Sequence, residues 1–293
     1  MKPAPFEYHV SDSIEEVLFL LHNYGSEAKL LAGGQSLVPA MNFRVVQPSV
    51  LIDLNRVKEL DYVHEDGESV HIGAMTRERT LEFESLISRK FPLLAEAMPH
   101  VAHPQIRNRG TLGGSLANAD PAAELPVIML AFGARLKARN VGSERWVDAQ
   151  KFFSGMFTTD LAPDEMLVEI ELPTSPARTG WSFEEVAPRA GDYALMGVAV
   201  LVTLAENEMC EQARLVYLNA GDGPVEAKQA AQGLEGQALT DEQIESAAML
   251  ASETEINPFG NVHASVEYQR HLANVLTKKA LKIARQRAGE ANQ

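Results

Sequence analysis

The chain has 293 residues, 45% of them apolar and 23% charged, which is enough for two modest domains with separate cores. Its 40 acidic against 26 basic side chains, a formal charge of −14, argue against a nucleic-acid surface, because phosphate backbones are met by clustered Lys and Arg. The single cysteine, Cys210, excludes an internal disulfide and cannot by itself hold an iron–sulfur cluster or a structural zinc.

No apolar run approaches the roughly twenty residues that span a bilayer, and the opening MKPAPFEYHV lacks the apolar stretch of a secretory signal. A cytoplasmic chain without a membrane span is therefore expected. Residues 11–25 predict a helix, with Ser13 and Glu16 as a capping box, Val17, Leu18, Leu21 and Tyr24 as an apolar stripe, and Gly25 after the last turn. Residues 28–32 and 50–54 read as short buried strands. Asp66-Gly67 separates two strand-like runs, 60–64 and 69–73, and marks a hairpin. Helical patterns follow at 80–88 and 92–98, then a polar stretch from His103 to Gly110 with no helical period.

A helix is expected over 122–132, with Pro121 suited to its first turn, and strands near 134–138 and 166–172. Residues 174–180, rich in Pro, Ser, Thr and Gly, read as a linker between domains 1–175 and 176–293. Beyond it, 194–205 and 213–220 predict a strand pair around the Glu206-Asn207-Glu208 turn. Helices are expected at 225–234, 240–252 and 263–287, the last ending in a basic cluster, Lys278, Lys279, Lys282, Arg285 and Arg287, that reads as a solvated face.

Two glycine-rich pentads stand out against this background: Ala32-Gly33-Gly34-Gln35-Ser36 at a strand end, and Thr111-Leu112-Gly113-Gly114-Ser115 after the polar stretch. Adjacent glycines let the backbone take positive φ and bring several N–H donors to one anion, and Ser36 and Ser115 can add hydroxyl donors. A matched pair points to one pyrophosphate held between two loops, with the second loop leading toward a helix N-terminus. There is no G-x-S-x-G elbow, no G-x-x-x-x-G-K-[ST] loop, no H-E-x-x-H and no G-x-G-x-x-G after the first strand. A dinucleotide site without a nicotinamide fingerprint leaves flavin adenine dinucleotide, FAD, as the natural candidate.

Three segments, Lys29-Leu-Leu-Ala-Gly-Gly-Gln-Ser-Leu-Val-Pro39, Ile106-Arg-Asn-Arg-Gly-Thr-Leu-Gly-Gly-Ser-Leu-Ala-Asn-Ala-Asp-Pro121 and Gly191-Asp-Tyr-Ala-Leu-Met-Gly197, carry a resemblance over essentially the whole length. Together they resemble the FAD-binding medium subunit of molybdenum hydroxylases, the family of the carbon monoxide dehydrogenase medium subunit and the xanthine dehydrogenase flavin domain. The resemblance implies an α+β chain: a two-subdomain FAD-binding fold of the vanillyl-alcohol-oxidase/PCMH type, with subdomains about 1–55 and 56–175. A small C-terminal domain of antiparallel sheet and helices follows. It implies non-covalent FAD cradled by Leu30, Leu31, Ala32, Gly33, Gly34, Gln35, Ser36 and Leu37 and by Thr111, Gly113, Gly114 and Ser115. Asn118 and Glu124 match polar partners of the cofactor, Leu167 an apolar contact, and Tyr193 an aromatic cover for one face of the isoalloxazine. Lys29 is either a cofactor contact or a solvated strand-end lysine. Glu184, Ser115 and Pro188 depart from the xanthine dehydrogenase pattern, where basic, Asn and Arg-Arg positions stand; the departures bear on the electron acceptor more than on FAD.

The resemblance further implies a large partner subunit with a molybdenum–molybdopterin centre, a small partner subunit with [2Fe–2S] clusters, and a dimer of heterotrimers. This chain is then the exit, passing electrons from the clusters to NAD⁺, a quinone or O₂, and it needs no general acid–base pair of its own. Two rival readings remain at this point. One is a self-contained flavin oxidase or reductase of related fold, and the other is a non-enzymatic module whose glycine loops are only turns.

Overall fold

Ser13 starts the first helix as its spacing predicts: its hydroxyl accepts from Glu16 N at 3.3 Å, and Glu16 reaches back to Asp12 N at 3.0 Å. The structure, a computed structural model, describes residues 1–290, so residues 291–293 of the expected C-terminal domain lie outside the described residues. The N-terminal unit runs β1 (Glu7–Val10), α1 (Ile14–Tyr24), β2 (Ala28–Leu31), α2 (Leu37–Asn42) and β3 (Val50–Asp53). Its three strands form a parallel sheet in the order β1-β3-β2. β1 carries no apolar alternation that sequence reading can detect; it forms because β3 offers it an open edge. The apolar stripe of α1, Val17, Leu18 and Leu21, closes on Val50 and Ile52 of β3 as one core.

The middle unit contains β4 (Val63–Asp66), β5 (Ser69–Gly73), α3 (Glu78–Phe83), α4 (Ser85–Lys90) and α5 (Pro92–Ala97). It continues with α6 (Pro104–Arg107), α7 (Leu112–Asn118), α8 (Glu124–Phe132), β6 (Arg135–Arg139), β7 (Glu144–Asp148), α9 (Ala149–Phe152), β8 (Phe153–Gly155), β9 (Thr158–Thr159) and β10 (Met166–Pro173). Several elements differ from the expectation. The pattern at 80–88 is two helices, broken where Glu84 leaves helical geometry and caps α4 by accepting from Leu86 N at 3.2 Å. The polar stretch contains one helical turn, α6. Pro121 precedes α8 rather than opening it, in a turn where Asp120 accepts from Ala122 N at 3.0 Å.

β10 is the centre of a five-stranded sheet, β4-β5-β10-β6-β7. A bulge between Leu167 and Glu169 breaks its pairing with β6. Met166 and Val168 thus serve the N-terminal core while Leu167, Ile170 and Leu172 serve the middle core, so one strand joins the two units.

The C-terminal part runs β11 (Thr179–Val186), β12 (Met196–Leu204), β13 (Cys210–Leu218), β14 (Val225–Glu226), α10 (Lys228–Leu234), α11 (Asp241–Leu250) and α12 (Val266–Glu290). β11 begins inside the expected linker, and the run expected as helix from residue 225 opens with a strand. The antiparallel sheet β11-β12-β13-β14 is buried on both sides. Phe183, Ala199, Val216 and Leu218 face α5 and α8 of the middle unit, while Val198, Val200, Leu215 and Tyr217 face the C-terminal helices. That is why β12 reads as a nearly unbroken apolar run. The basic end of α12 is not a free solvated face. Lys279 pairs with Glu184 at 2.7 Å, Lys282 with Asp241 at 2.9 Å and Arg287 with Glu96 at 2.6 Å, which fastens the helix to its neighbours. The unusual Glu184 thus has a structural partner. No helix among the described residues is long and apolar enough to cross a membrane.

Candidate cofactor site

The first pentad fills the turn between β2 and α2. Gly34 has φ +73°, in the left-handed region where a Cβ is unfavourable. Among the described residues the N–H groups of Gly33, Gly34, Gln35 and Ser36 have no hydrogen-bond partner, and the Ser36 hydroxyl makes no capping bond. The Gln35 side chain folds back onto Gly33 O at 3.0 Å and stays out of the way. Four successive donors in one partly exposed turn are what an anionic ligand needs.

The second pentad is arranged differently from the expectation. It is itself the start of α7, with Thr111 as N-cap, and its backbone donors are already used. Leu112 N bonds to Thr76 O at 3.0 Å, Gly113 N to Ala74 O at 2.9 Å, Gly114 N to Thr111 Oγ1 at 3.1 Å and Ser115 N to Thr111 O at 3.0 Å. These glycines serve close packing. A Cβ on Gly113 would lie 2.6 Å from Ala74 O, and one on Gly114 would lie 3.4 Å from Ala32 Cβ in the first pentad. A Cβ on Gly33 would lie only 2.3 Å from Arg109 O. The two loops therefore pack against each other, and the first carries the backbone donors that have no partner among the described residues. The second supplies side chains: Ser115 and Asn118 stand three apart on α7 and carry no side-chain hydrogen bond among the described residues.

A hydrogen-bonded chain that sequence reading missed fastens the loops. Asn55 Nδ2 donates to Ala32 O at 3.0 Å, Arg77 Nη2 donates to Asn55 Oδ1 at 2.7 Å, and Arg77 Nη1 donates to Arg109 O at 2.5 Å. Asn55 is oriented in turn by Asp53, whose Oδ1 accepts from Asn55 N at 2.8 Å and whose other oxygen accepts from Tyr8. Burial opposes ionisation of Asp53, yet the hydrogen bonds from Tyr8 and Asn55 hold it below its ordinary range. Burial, and then the nearby Arg109 charge, lowers the Arg77 pKa. The only advance sign of this device was the polarity of the segments around it. Replacing Arg77 with methionine is expected to cost about 2 kcal/mol, because two acceptors lose a charged donor. Urea unfolding would register the loss, and an unchanged midpoint would remove Arg77 from the junction.

The remaining expected residues are more dispersed. Lys29 is exposed on the edge strand β2, and Leu167 is 5% exposed within the middle core. Tyr193 is 72% exposed. Its segment is fixed by Gly191 (φ +84°) packed on His103 and by Asn219 Nδ2, which donates to Ala194 O at 2.8 Å. Partial burial, with the charges of Asp120 and Glu124, raises the Tyr193 pKa. Glu124 is 7% exposed at the start of α8, inside an acidic cluster rather than on a loop surface. Burial, followed by the charge of Glu185, pushes it up to about 7. Burial and then Glu124 push Glu78 up to about 8. Glu78 lies directly beneath Gly110, where a Cβ would fall 2.2 Å from Glu78 Oε2. Glu185 pairs with His100 at 3.7 Å, and this partner raises the imidazole pKa.

This arrangement suits a bound dinucleotide: a run of backbone donors without partners among the described residues, two arginines at the seam and polar side chains on α7. Comparison with known proteins agrees. The family described as the FAD binding domain in molybdopterin dehydrogenase matches residues 4–175, and the CO dehydrogenase flavoprotein C-terminal domain matches residues 181–284. The 6-hydroxypseudooxynicotine dehydrogenase complex subunit alpha of Paenarthrobacter nicotinovorans is 41% identical over 288 residues, covering 98% of this chain and 97% of the relative. The carbon monoxide dehydrogenase medium chain of Hydrogenophaga pseudoflava is 37% identical over 284 residues, covering 97% and 98%. The structure of carbon monoxide dehydrogenase from that organism, in a form lacking the Mo-pyranopterin moiety of the molybdenum cofactor, superposes with a TM-score of 0.95 at 38% identity, covering 98% of this chain and 99% of that one. The chain therefore belongs to the FAD-binding medium subunits of the molybdenum hydroxylases, flavoprotein subunits of molybdenum-containing dehydrogenases such as carbon monoxide dehydrogenase.

Proposed function

We propose that this chain is the electron exit of its complex, taking electrons from [2Fe–2S] clusters in a small partner subunit and passing them to an external acceptor such as NAD⁺, a quinone or O₂. The observation that carries the cofactor assignment is the run of unpartnered N–H groups from Gly33 to Ser36, closed on one side by the Arg109 backbone. In this reading residues 30–37 hold the FAD pyrophosphate. Thr111, Gly113 and Gly114 shape the opposite wall, and Ser115 and Asn118 donate side-chain hydrogen bonds. Glu124, Leu167 and Lys29 line more distant parts of the cofactor, and Tyr193 covers one face of the ring. FAD, when bound, supplies the electron-accepting chemistry, and the protein supplies placement and electrostatics.

Arg77 and Arg109 offset the negative charge of the pyrophosphate in a strongly acidic chain. Substrate choice is assigned to the large molybdopterin subunit. Relatives named for 6-hydroxypseudooxynicotine and for carbon monoxide share this medium chain over nearly its full length, which supports placing the discriminating contacts elsewhere. We further assign a dimer of heterotrimers, a cytoplasmic location, and a division into domains 1–175 and 176–293.

Purification from the native source at low salt is expected to yield flavin absorbance together with molybdenum and iron in the co-purifying chains. Flavin on a solitary chain that turns over an organic substrate would overturn the reading. Tyr193→Ala is expected to retain FAD but shift its absorption maximum or midpoint potential; no change in either would end the stacking role.

A further inference from the structure

One residue holds three consecutive carbonyls in the turn that leads into α6. Arg107 Nη1 donates to Val101 O at 2.8 Å and to Ala102 O at 2.9 Å, and Arg107 N donates to His103 O at 3.1 Å. The other edge of the guanidinium forms a two-point pair with Glu82 of α3, Nε to Oε2 at 2.9 Å and Nη2 to Oε1 at 3.0 Å. Arg107 is buried there, at 4% exposed. The turn so gripped is not relaxed, because Ala102 stands at φ +44°, in the left-handed region that alanine avoids. A buried planar fork spanning a carboxylate and two carbonyls can hold a non-glycine residue in that conformation.

The strained turn packs against the loop that carries Tyr193. That loop, between β11 and β12, is closed at its base by Leu195 N, which donates to Val186 O at 2.7 Å, and at its tip by Asp192 N, which donates to Arg189 O at 3.0 Å. Gly191 lies against the turn: a Cβ there would fall 2.4 Å from His103 Nδ1 and 3.1 Å from Ala102 O. The far flank is taken by Asn219, itself left-handed at φ +54°, whose Nδ2 donates to Ala194 O at 2.8 Å and to Leu195 O at 3.2 Å. Strained residues thus grip the chain on both sides of Tyr193. The Tyr193 side chain is largely exposed, so its direction is set by the backbone that carries it rather than by packing around the ring. Resting on the reading above that Tyr193 covers one face of the flavin, we propose that Arg107 is a positioning residue for this ring, acting through the 101–103 turn and Gly191.

The test is a double-mutant cycle on the full-length chain loaded with FAD, using Arg107→Lys, Tyr193→Ala and the two together. Lysine keeps the charge but cannot span Glu82 and both carbonyls. A stacked tyrosine quenches flavin fluorescence, and losing the stack weakens binding by about two- to tenfold. Each single variant is expected to raise the fluorescence of the bound flavin and to raise the FAD dissociation constant within that range. The double variant is expected to do no more than Tyr193→Ala alone. An arginine that only braces the fold would leave the fluorescence unchanged or add its effect in full to that of Tyr193→Ala, and either result would overturn the proposal. Should Arg107→Lys fail to fold, His103→Ala removes the contact with Gly191, leaves the guanidinium in place and runs the same cycle with the same expected and overturning results. Unchanged fluorescence and affinity in Tyr193→Ala would overturn the stacking reading itself, and the positioning role with it.

Discussion

Alanine at Gly33 is expected to empty the cofactor site and lower the melting temperature by several degrees, whereas alanine at Gly34 is expected to cost much less. The added methyl at position 33 would sit 2.3 Å from Arg109 O and 2.8 Å from Gly110 Cα, both backbone atoms. Neither can yield cheaply. Arg109 O is held by Arg77, and Gly110 O accepts from Glu78 N at 3.0 Å with the Glu78 side chain packed beneath. Overpacking against fixed backbone costs about 3 kcal/mol, and separating the loops also moves the donors of residues 33–36 off their target. At Gly34 the nearest atoms are side-chain ends, Leu31 Cδ1 at 3.1 Å and Val38 Cγ2 at 3.2 Å. The cost there is mainly the positive φ, about 1 kcal/mol. The ratio of flavin to protein absorbance and a thermal melt would be read on both variants. Full flavin and an unchanged melt for Gly33→Ala would mean that the two loops are not a rigid junction.

Glu78→Gln is expected to flatten the pH dependence of stability and to make the protein more stable than wild type at pH 9. Glu78 and Glu124 are pushed up to about 8 and about 7 in the fold, from an ordinary value of 4.5. Between these values the folded chain holds protons that the unfolded chain has released, so stability falls as pH rises. Their contribution is complete below about pH 4.5 and is lost through pH 7 and 8 as the buried groups are forced to ionise. For Glu78 alone the span is on the order of 3–5 kcal/mol. Depressed carboxylates such as Asp53 act in the opposite sense, so the informative quantity is the difference between variant and wild type in urea midpoints from pH 5 to pH 9. Parallel profiles would show that Glu78 is ionised in the native state.

Both expectations rest on neighbours distant in the chain, which is where sequence reading met its limit. Local chemistry determined the Ser13 cap, the Asp66-Gly67 hairpin, the short strands at β2 and β3 and the α1 stripe, because each depends on residues within a few positions of one another, whereas burial of β2 beyond Ala28 did not follow. It also determined that two glycine loops exist and resemble a flavin site, since the motifs are short and ordered along the chain. Only the tertiary structure decided what each glycine is for. Whether an N–H group is free depends on what packs opposite it, and Ala74, Thr76 and Thr111 use up the donors of the second pentad from Leu112 to Ser115 while nothing among the described residues uses those of the first from Gly33 to Ser36. The same reason hid Asn55 and Arg77, ordinary polar residues until the fold sets them between two carbonyls. It hid the burial of Glu78 and Glu124, whose acidity is set by enclosure rather than by adjacent residues. It also turned the basic end of α12 from an expected solvated face into a set of ion pairs, because a charge is free or paired only relative to the element across from it.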